Sequence, residues 1–196
     1  MFAPELGPVL GIDPGLSRCG YGAVVRDGAV ARAVAAGVIR TEPTSPLPDR
    51  LARLATELEL LLDELAPRAV VVERVLFQVN ARTAISVGQA SGLALAAAAR
   101  RGITVVQYSP NEVKLAVTGD GAADKQAVQF MVTKLLRLAV APDSPDAADA
   151  LALALCHAWR ERTEHATSVP TRDGESPGDR LRARIDAALV KQSRSR

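Results

Sequence analysis

Aromatic residues and cysteines are scarce in this chain of 196 residues. Aromatics make up 3% of the sequence, which disfavours an aromatic-rich β-sandwich, whereas the hydrophobic content of 48% is enough for a packed core. The two cysteines, Cys19 and Cys156, are far apart in sequence and show no paired metal-ligand spacing. The sequence therefore indicates neither a disulfide framework nor a zinc site, and we expect both thiols in the core.

Long apolar runs are also missing. No uncharged apolar stretch reaches the roughly 18 residues that a membrane-spanning helix needs. The first residues, Met1 to Pro8, lack the basic and then apolar pattern of a signal peptide. We therefore expect a cytoplasmic protein that does not associate with membranes.

Charge is nearly balanced over the whole chain but is unevenly distributed. The formal net charge is +2, yet the segment from Arg74 to Arg137 contains eight basic and three acidic residues. A local positive excess of this kind is typical of a surface that faces phosphates. A scatter of solvated charges explains the same count, so charge alone leaves nucleic-acid binding open.

Turn signals divide the N-terminal part of the chain into three predicted strands. Val9–Ile12 is a short apolar run closed by the turn sequence Asp13-Pro14-Gly15. Residues 19–25 and 29–39 have β-type composition, and Asp27-Gly28 between them is typical of a hairpin turn. The pattern predicts an antiparallel meander.

Helices and strands alternate in the following segments. Leucines at helical spacing predict a helix over 49–65. The apolar run 69–72 predicts a strand parallel to the first, because a helix separates the two. A fifth strand is predicted over 103–107. The remaining predicted helices cover residues 80–101, 111–117, 124–138 and 146–160. The sequence thus predicts an α/β fold with a mixed five-stranded sheet flanked by helices.

The composition changes near the end of the predicted last helix. Ser144 is its predicted N-cap, with Pro145 at the first helical position. From Glu161 onward Ser, Pro and Gly are interspersed with alternating charges, which is typical of a flexible segment. We assign residues 1–160 to one domain and residues 161–196 to a flexible, charged C-terminal tail.

Four acidic residues stand at positions suited to metal binding. Asp13 and Glu73 come at the carboxyl ends of two predicted parallel strands, the edge at which α/β sheets bind ligands. Asp146 and Asp149 are three residues apart and so share one helix face. Ordinary explanations exist: Asp-Pro-Gly is a common turn, strands often end at a charge, and Asp146 could compensate the helix dipole. Asp149 instead heads an apolar stripe, where a carboxylate needs a cation or several hydrogen-bond donors, and no nearby Lys or Arg in sequence supplies one, whereas a metal would.

Carboxylates gathered at one sheet edge repel one another unless a divalent cation neutralises them. Oxygen ligands without His or Cys favour Mg²⁺ or Mn²⁺ over Zn²⁺. This arrangement suits two-metal phosphodiester hydrolysis, in which one ion activates water and the other stabilises the leaving 3′ oxygen. Lys114 and Lys125 precede the acidic helix. They are either groups that stabilise charge on the phosphate or ordinary exposed lysines.

Several short motifs occur in a fixed order between Leu10 and Trp159. They are Gly11-Ile12-Asp13-Pro14-Gly15, Val71-Val72-Glu73-Arg74-Val75, Gly88-Gln89-Ala90, Glu112-Val113-Lys114, Ala123-Asp124-Lys125 with Met131-Val132, and Asp146-Ala147-Ala148-Asp149-Ala150-Leu151-Ala152 followed by His157. Each motif is weak by itself, but the ordered set is specific. In order and spacing it resembles the RuvC family of Holliday junction resolvases, the crossover junction endodeoxyribonucleases.

The resemblance implies a ribonuclease H-like fold and a Mg²⁺-dependent homodimer that nicks opposite strands of a four-way DNA junction symmetrically, in homologous recombination and DNA repair. It implies that Asp13, Glu73, Asp146 and Asp149 are catalytic and bind two Mg²⁺ ions per active site, with Mn²⁺ as a substitute. It also implies that Lys114 and Lys125 are active-site lysines, and that the RuvA and RuvB branch-migration proteins are partners.

The predicted DNA contacts lie mainly after the fourth strand. The family usually places a stacking aromatic three residues after the strand-ending Glu, but Leu76 occupies that position here and Phe77 follows it. Either Phe77 replaces that aromatic for stacking at the opened junction after a local shift of the loop, or the junction distortion or sequence preference of this protein differs from that of the family. The predicted DNA-contacting set is Arg74, Leu76, Phe77, Asn80, Arg82, Lys114 and Lys125. The small residues of helix 80–101 suggest a contact between subunits.

Three other functions share parts of the pattern. The segment Gly11–Gly15 also resembles the first phosphate loop of actin-like ATPases, but those proteins need two lobes, and we find no second phosphate loop. A catalytically inactive junction-binding scaffold would not need four intact acids. The related YqgF-type nucleases are not expected to combine the Asp146/Asp149 pair with both lysines.

Overall fold

The computed structural model describes residues 7–74 and 81–164. The strands are β1 Val9–Asp13, β2 Arg18–Asp27, β3 Val30–Arg40, β4 Ala69–Glu73 and β5 Thr104–Tyr108. They form one sheet in the order β3-β2-β1-β4-β5. Strand β2 is antiparallel to both β1 and β3, whereas β4 is parallel to both β1 and β5. The predicted mixed five-stranded sheet is confirmed.

Helices connect and cover these strands. They are α1 Leu47–Leu65, α2 Ala81–Arg100, α3 Pro110–Thr118, α4 Lys125–Leu135 and α5 Pro145–Glu164. Each lies where the sequence predicts a helix, and only α4 and α5 end more than one residue from the predicted end. Arg137 has a left-handed backbone with φ of 53°. The N–H groups of Arg137 and Leu138 donate to the carbonyls of Lys134 and Thr133, respectively, and this Schellman-type closure ends α4 before the predicted Leu138.

Helix α5 is one turn longer than its predicted end at Arg160. Its last turn is fixed by ion pairs with distant parts of the fold. Arg160 pairs with Glu112 at 3.2 Å, and Glu161 pairs with Arg68 at 2.6 Å. The predicted tail, residues 161–196, otherwise lies outside the described residues and stays a prediction.

Each face of the sheet is covered by a separate hydrophobic cluster. Leu10 and Ile12 of β1 pack with leucines of α1 and alanines of α2. Val9 of β1 and Val71 of β4 pack on the opposite side with residues of α3, α4 and α5. This alternation follows from the two-residue period of a strand. Cys19 and Cys156 are free and lie in the core, as predicted, and each belongs to a different cluster.

Membrane insertion through a helix finds no support in the part of the chain that is described. None of the helices there is both long and apolar enough to span a bilayer.

Candidate active site

Asp13 and Glu73 end two neighbouring parallel strands. Ile12 of β1 is the register partner of Val72 of β4, so the residues that follow them reach the same carboxyl edge of the sheet. Both acids are half-buried. The strand pairing therefore brings together two carboxylates that are 60 positions apart in the chain.

Helix α5 lies directly on β1 and β2 because glycines face it. A Cβ atom at Gly20 would stand 2.1 Å from the carbonyl oxygen of Asp146, and one at Gly11 would stand 2.0 Å from that of Ala150. Gly20 is also the register partner of Asp13. The close approach of helix and strand, which needs residues without side chains, therefore sets Asp146 beside Asp13.

Mutual repulsion marks the four acids as one group. Burial is the largest cause that raises the pKa of Asp13, followed by the negative charges of Glu73, Asp149 and Asp146, and together they raise it to about 7. Lys125 opposes this shift. Burial and then Asp149 likewise raise the pKa of Glu73. The structure thus brings the four acids close enough to affect one another.

Both predicted lysines act on this acidic group. Lys125 is the first residue of α4, after the N-cap Asp124, and its Nζ lies 3.3 Å from Oδ2 of Asp149. The charge of Asp149 is the main cause that raises the pKa of Lys125. Lys114 lies on α3, and its charge lowers the pKa of Glu73. The fold therefore supplies Asp149 with the cation that its sequence neighbours lack.

Arg18 is a member of the site that the sequence reading missed. Its Nε donates to Oδ2 of Asp146 at 2.7 Å, and its Nη2 donates to Oγ of Ser144 at 2.8 Å. Arg18 opens β2 just after the turn that follows Asp13. The predicted meander could have revealed Arg18, because a hairpin returns the residues after its turn to the edge at which the first strand ended.

With their side chains oriented as described, the four acids do not form a ready-made group of metal ligands. Among residues 7–74 and 81–164, no three or more His, Cys, Asp or Glu side chains are grouped so that they could hold a metal ion. Two of the four acids are instead paired with cations, Asp146 with Arg18 and Asp149 with Lys125.

Comparison with known proteins identifies the family. Residues 9–157 match the family described as "Crossover junction endodeoxyribonuclease RuvC". The chain belongs to the RuvC family. A RuvC from Pseudarthrobacter chlorophenolicus is 48% identical over 91% of this chain and 95% of the relative. A RuvC from Parafrankia sp. is 50% identical over 88% of this chain and 98% of the relative.

Solved structures agree with the RuvC assignment. A structure of T. thermophilus RuvC in complex with Holliday junction substrate superposes with a TM-score of 0.76 at 39% identity, covering 81% of this chain and 96% of that one. The yeast mitochondrial Holliday junction resolvase Ydc2 has a TM-score of 0.60 at 16% identity, covering 84% and 83% of the two chains, and shows the shared fold alone. The predicted ribonuclease H-like fold is confirmed.

The predicted DNA contacts of this RuvC family member are only partly described. Arg74 is exposed after β4, where its N–H donates to the carbonyl of Tyr108 at 2.8 Å and its Nη2 to that of Gln107 at 3.2 Å. Leu76, Phe77 and Asn80 lie outside the described residues, as does the side chain of Arg82. The proposed stacking by Phe77 stays a prediction.

Proposed function

We propose that this protein is a structure-specific endonuclease that resolves four-way (Holliday) DNA junctions in homologous recombination and DNA repair. The observation that carries the proposal is the meeting of Asp13, Glu73, Asp146 and Asp149 at one sheet edge, with lysines beside them. Membership of a family described as crossover junction endodeoxyribonuclease supports the reaction. The RuvC complex with Holliday junction substrate supports the choice of DNA.

The donor set fits a hard divalent cation. All four candidate ligands are carboxylates, and burial followed by the charges of Glu73, Asp149 and Asp146 raises the pKa of Asp13 to about 7, a penalty on the carboxylate that a divalent cation would offset. We propose that the four acids hold two Mg²⁺ ions per active site, with Mn²⁺ as a substitute. The bound ions would supply an activated water and stabilisation of the leaving 3′ oxygen.

The lysines act on the phosphate in this mechanism. Lys125 is 80% exposed and its ammonium already lies at the edge of the acidic group, so it can approach a DNA phosphate without crossing the core. It stabilises the negative charge that develops on the scissile phosphate. Lys114, whose charge reaches Glu73, has the same role or holds a neighbouring phosphate.

Symmetric cleavage requires two such sites. We propose a homodimer that nicks opposite strands of the junction, with α2 at the subunit contact. The small residues of α2 are the ground for this choice, and Ile85 on the same helix is 62% exposed. Two further parts of the proposal rest on the family resemblance. One is the pair of partners RuvA and RuvB, and the other is the DNA-facing set of Arg74, Leu76, Phe77, Asn80, Arg82, Lys114 and Lys125.

Incubation with a synthetic four-way junction and Mg²⁺ tests the function. We expect paired nicks in the junction, an intact linear duplex of the same sequence, no cleavage in EDTA, and no ATP hydrolysis. Asp13→Asn, Glu73→Gln, Asp146→Asn and Asp149→Asn should each lower the cleavage rate on the order of 10²–10³-fold while keeping junction binding. A variant that cuts at nearly the wild-type rate removes its residue from the site, and cleavage of the duplex as fast as the junction contradicts the proposal.

Lys125 and Lys134 form a matched pair on helix α4. Lys125 contacts Asp149, whereas Lys134 lies over the ring of Phe130, 5.5 Å from its centroid. We expect Lys125→Ala to lower the single-turnover cleavage rate about 100-fold and junction affinity much less, because its charge acts on the transition state. Lys134→Ala should change both less than about threefold. Equal losses of rate and affinity in Lys125→Ala would make Lys125 only an anchor for DNA.

A further inference from the structure

Arg18 forms an ion pair with Asp146, one of the proposed metal ligands. Its guanidinium meets Oδ2 of Asp146 through both Nε and Nη2, at 2.7 and 2.6 Å, while Ser144 accepts a further hydrogen bond from Nη2. The pair is only partly buried, with 43% of the Arg18 side chain exposed. An ion pair this open is weak enough to be replaced by a stronger anion.

A second arginine stands next to Arg18 on the sheet, and a third contacts the residue before it. Arg40 is its register partner across β2 and β3, so two like charges stand side by side on the sheet, which is unfavourable. Arg50 donates to the hydroxyl groups of Ser17 and Thr41, at 2.6 and 3.0 Å. Because hydroxyls are neutral, these bonds leave the charge of Arg50 in place. Arg18 and Arg40 form a basic patch beside Asp146, and Arg50 contacts Ser17, the residue that precedes Arg18.

A phosphodiester backbone is the anion that fits this patch. Its phosphates carry one charge each at regular spacing, and guanidinium groups bind phosphate oxygens in a two-pronged geometry. DNA that reaches the four acids for cleavage passes next to this edge of the sheet. A phosphate there relieves the repulsion between Arg18 and Arg40 and competes with Asp146 for Arg18.

We propose that Arg18 is an exchangeable cation that couples DNA binding to metal binding. In the free protein it neutralises Asp146. When junction DNA binds, Arg18 moves to a backbone phosphate and leaves the carboxylate of Asp146 to a divalent cation. Since coupling between two ligands is reciprocal, DNA then strengthens metal binding and metal strengthens DNA binding. The inference rests on the metal site of the proposed function, and it concerns a residue outside that set of ligands.

Titration calorimetry with Mn²⁺ on the full chain without DNA tests the first half. Arg18→Gln should bind Mn²⁺ about fivefold more tightly than the wild type, because the competing charge is gone. Arg18→Lys keeps the charge and should bind less tightly than Arg18→Gln. The matched control is Arg53→Gln, which removes the same charge from an exposed pair with Glu57 on α1 and should leave Mn²⁺ affinity within about twofold of the wild type.

Two negative results are distinguishable. If the wild type and both Gln variants bind Mn²⁺ equally, the exchange is overturned while the metal site stands. If none of the proteins binds Mn²⁺, the metal site of the proposed function fails and the exchange fails with it.

Junction binding in EDTA tests the second half, in an Asp146→Asn background that removes the ion pair. If Arg18 contacts a phosphate, adding Arg18→Gln should still weaken binding and reduce the slope of log affinity against log salt by about 0.9. Arg53→Gln in the same background should leave the slope unchanged. If Arg18→Gln also leaves the slope unchanged, Arg18 pairs with Asp146 but does not contact a phosphate, and the exchange is overturned.

Discussion

Asp13 is a residue whose ionisation is opposed by its surroundings. Burial and the charges of Glu73, Asp149 and Asp146 raise its pKa from 3.8 to about 7. Between those two pH values the unfolded chain has lost this proton while the folded protein keeps it. The stability of the folded protein therefore falls as the pH rises from about 4 to 7, and the penalty is constant above that range. Below pH 4 both states are protonated and the penalty is absent.

Asp13→Asn should make the protein more stable at pH 8 in EDTA, because the amide cannot ionise. The shift of the Asp13 pKa from 3.8 to about 7 sets an upper bound of about 4 kcal/mol on the gain in free energy of unfolding. At pH 4 the variant and the wild type should unfold at similar urea concentrations. Asp27→Asn is the control, since Asp27 is exposed at the far end of β2. A gain of equal size at pH 4 and pH 8 would contradict the role of ionisation.

Helix α5 is the element that carries two of the four acids, and its distance from the sheet is set by glycines. Gly20 touches the backbone of α5 at Asp146, whereas Gly92 on α2 has open space where a Cβ would stand. The two positions therefore respond differently to the same added methyl group. At Gly20 the helix must move, and Asp146 moves with it.

Gly20→Ala should lower the free energy of unfolding by about 2–3 kcal/mol, because the new Cβ meets a carbonyl oxygen that cannot rotate away. Cleavage by the folded fraction should fall about 100-fold, since small displacements of catalytic groups cost that much. Gly92→Ala should instead raise stability by up to about 1 kcal/mol, as alanine favours a helix. Urea unfolding and single-turnover cleavage measure the two effects. If Gly20→Ala behaves like Gly92→Ala, α5 is not held by this contact.

The features that the sequence predicted correctly are those that a local pattern encodes. Asp13 and Glu73 were found because each ends an apolar run, and the parallel pairing of those runs follows from the intervening helix. Arg18 was missed because its contact with Asp146 spans 128 positions. The cation for Asp149 was missed for the same reason, since Lys125 belongs to another helix. The extra turn of α5 begins at Glu161, whose ion pair with Arg68 no local pattern reveals.

The far end of α5 is attached to the sheet by a partly buried polar network. Arg68, just before β4, pairs with Glu161 at 2.6 Å and donates to the carbonyl of Gly7. Glu161 also meets Nε2 of His157 at 3.2 Å, and Nδ1 of His157 meets the hydroxyl of Tyr108 at 2.9 Å. Burial by itself would raise the pKa of Glu161, but Arg68 and His157 together lower it. One helix thus connects the acids at its start with an ion-pair network at its end.

Glu161→Gln should lower the free energy of unfolding at pH 7 by about 2 kcal/mol, because it leaves Arg68 without its charged partner. The pKa of Glu161 is lower in the folded protein than its ordinary value of 4.5. The stabilisation is therefore present above that pH and lost as the pH falls, so variant and wild type should converge in acid. Glu57→Gln disrupts an exposed pair with Arg53 and should cost less than about 0.5 kcal/mol. Urea unfolding from pH 7 down to pH 3 measures both variants. A difference between Glu161→Gln and the wild type that persists undiminished at pH 3 would mean that lost packing, not lost charge, weakens the attachment of α5.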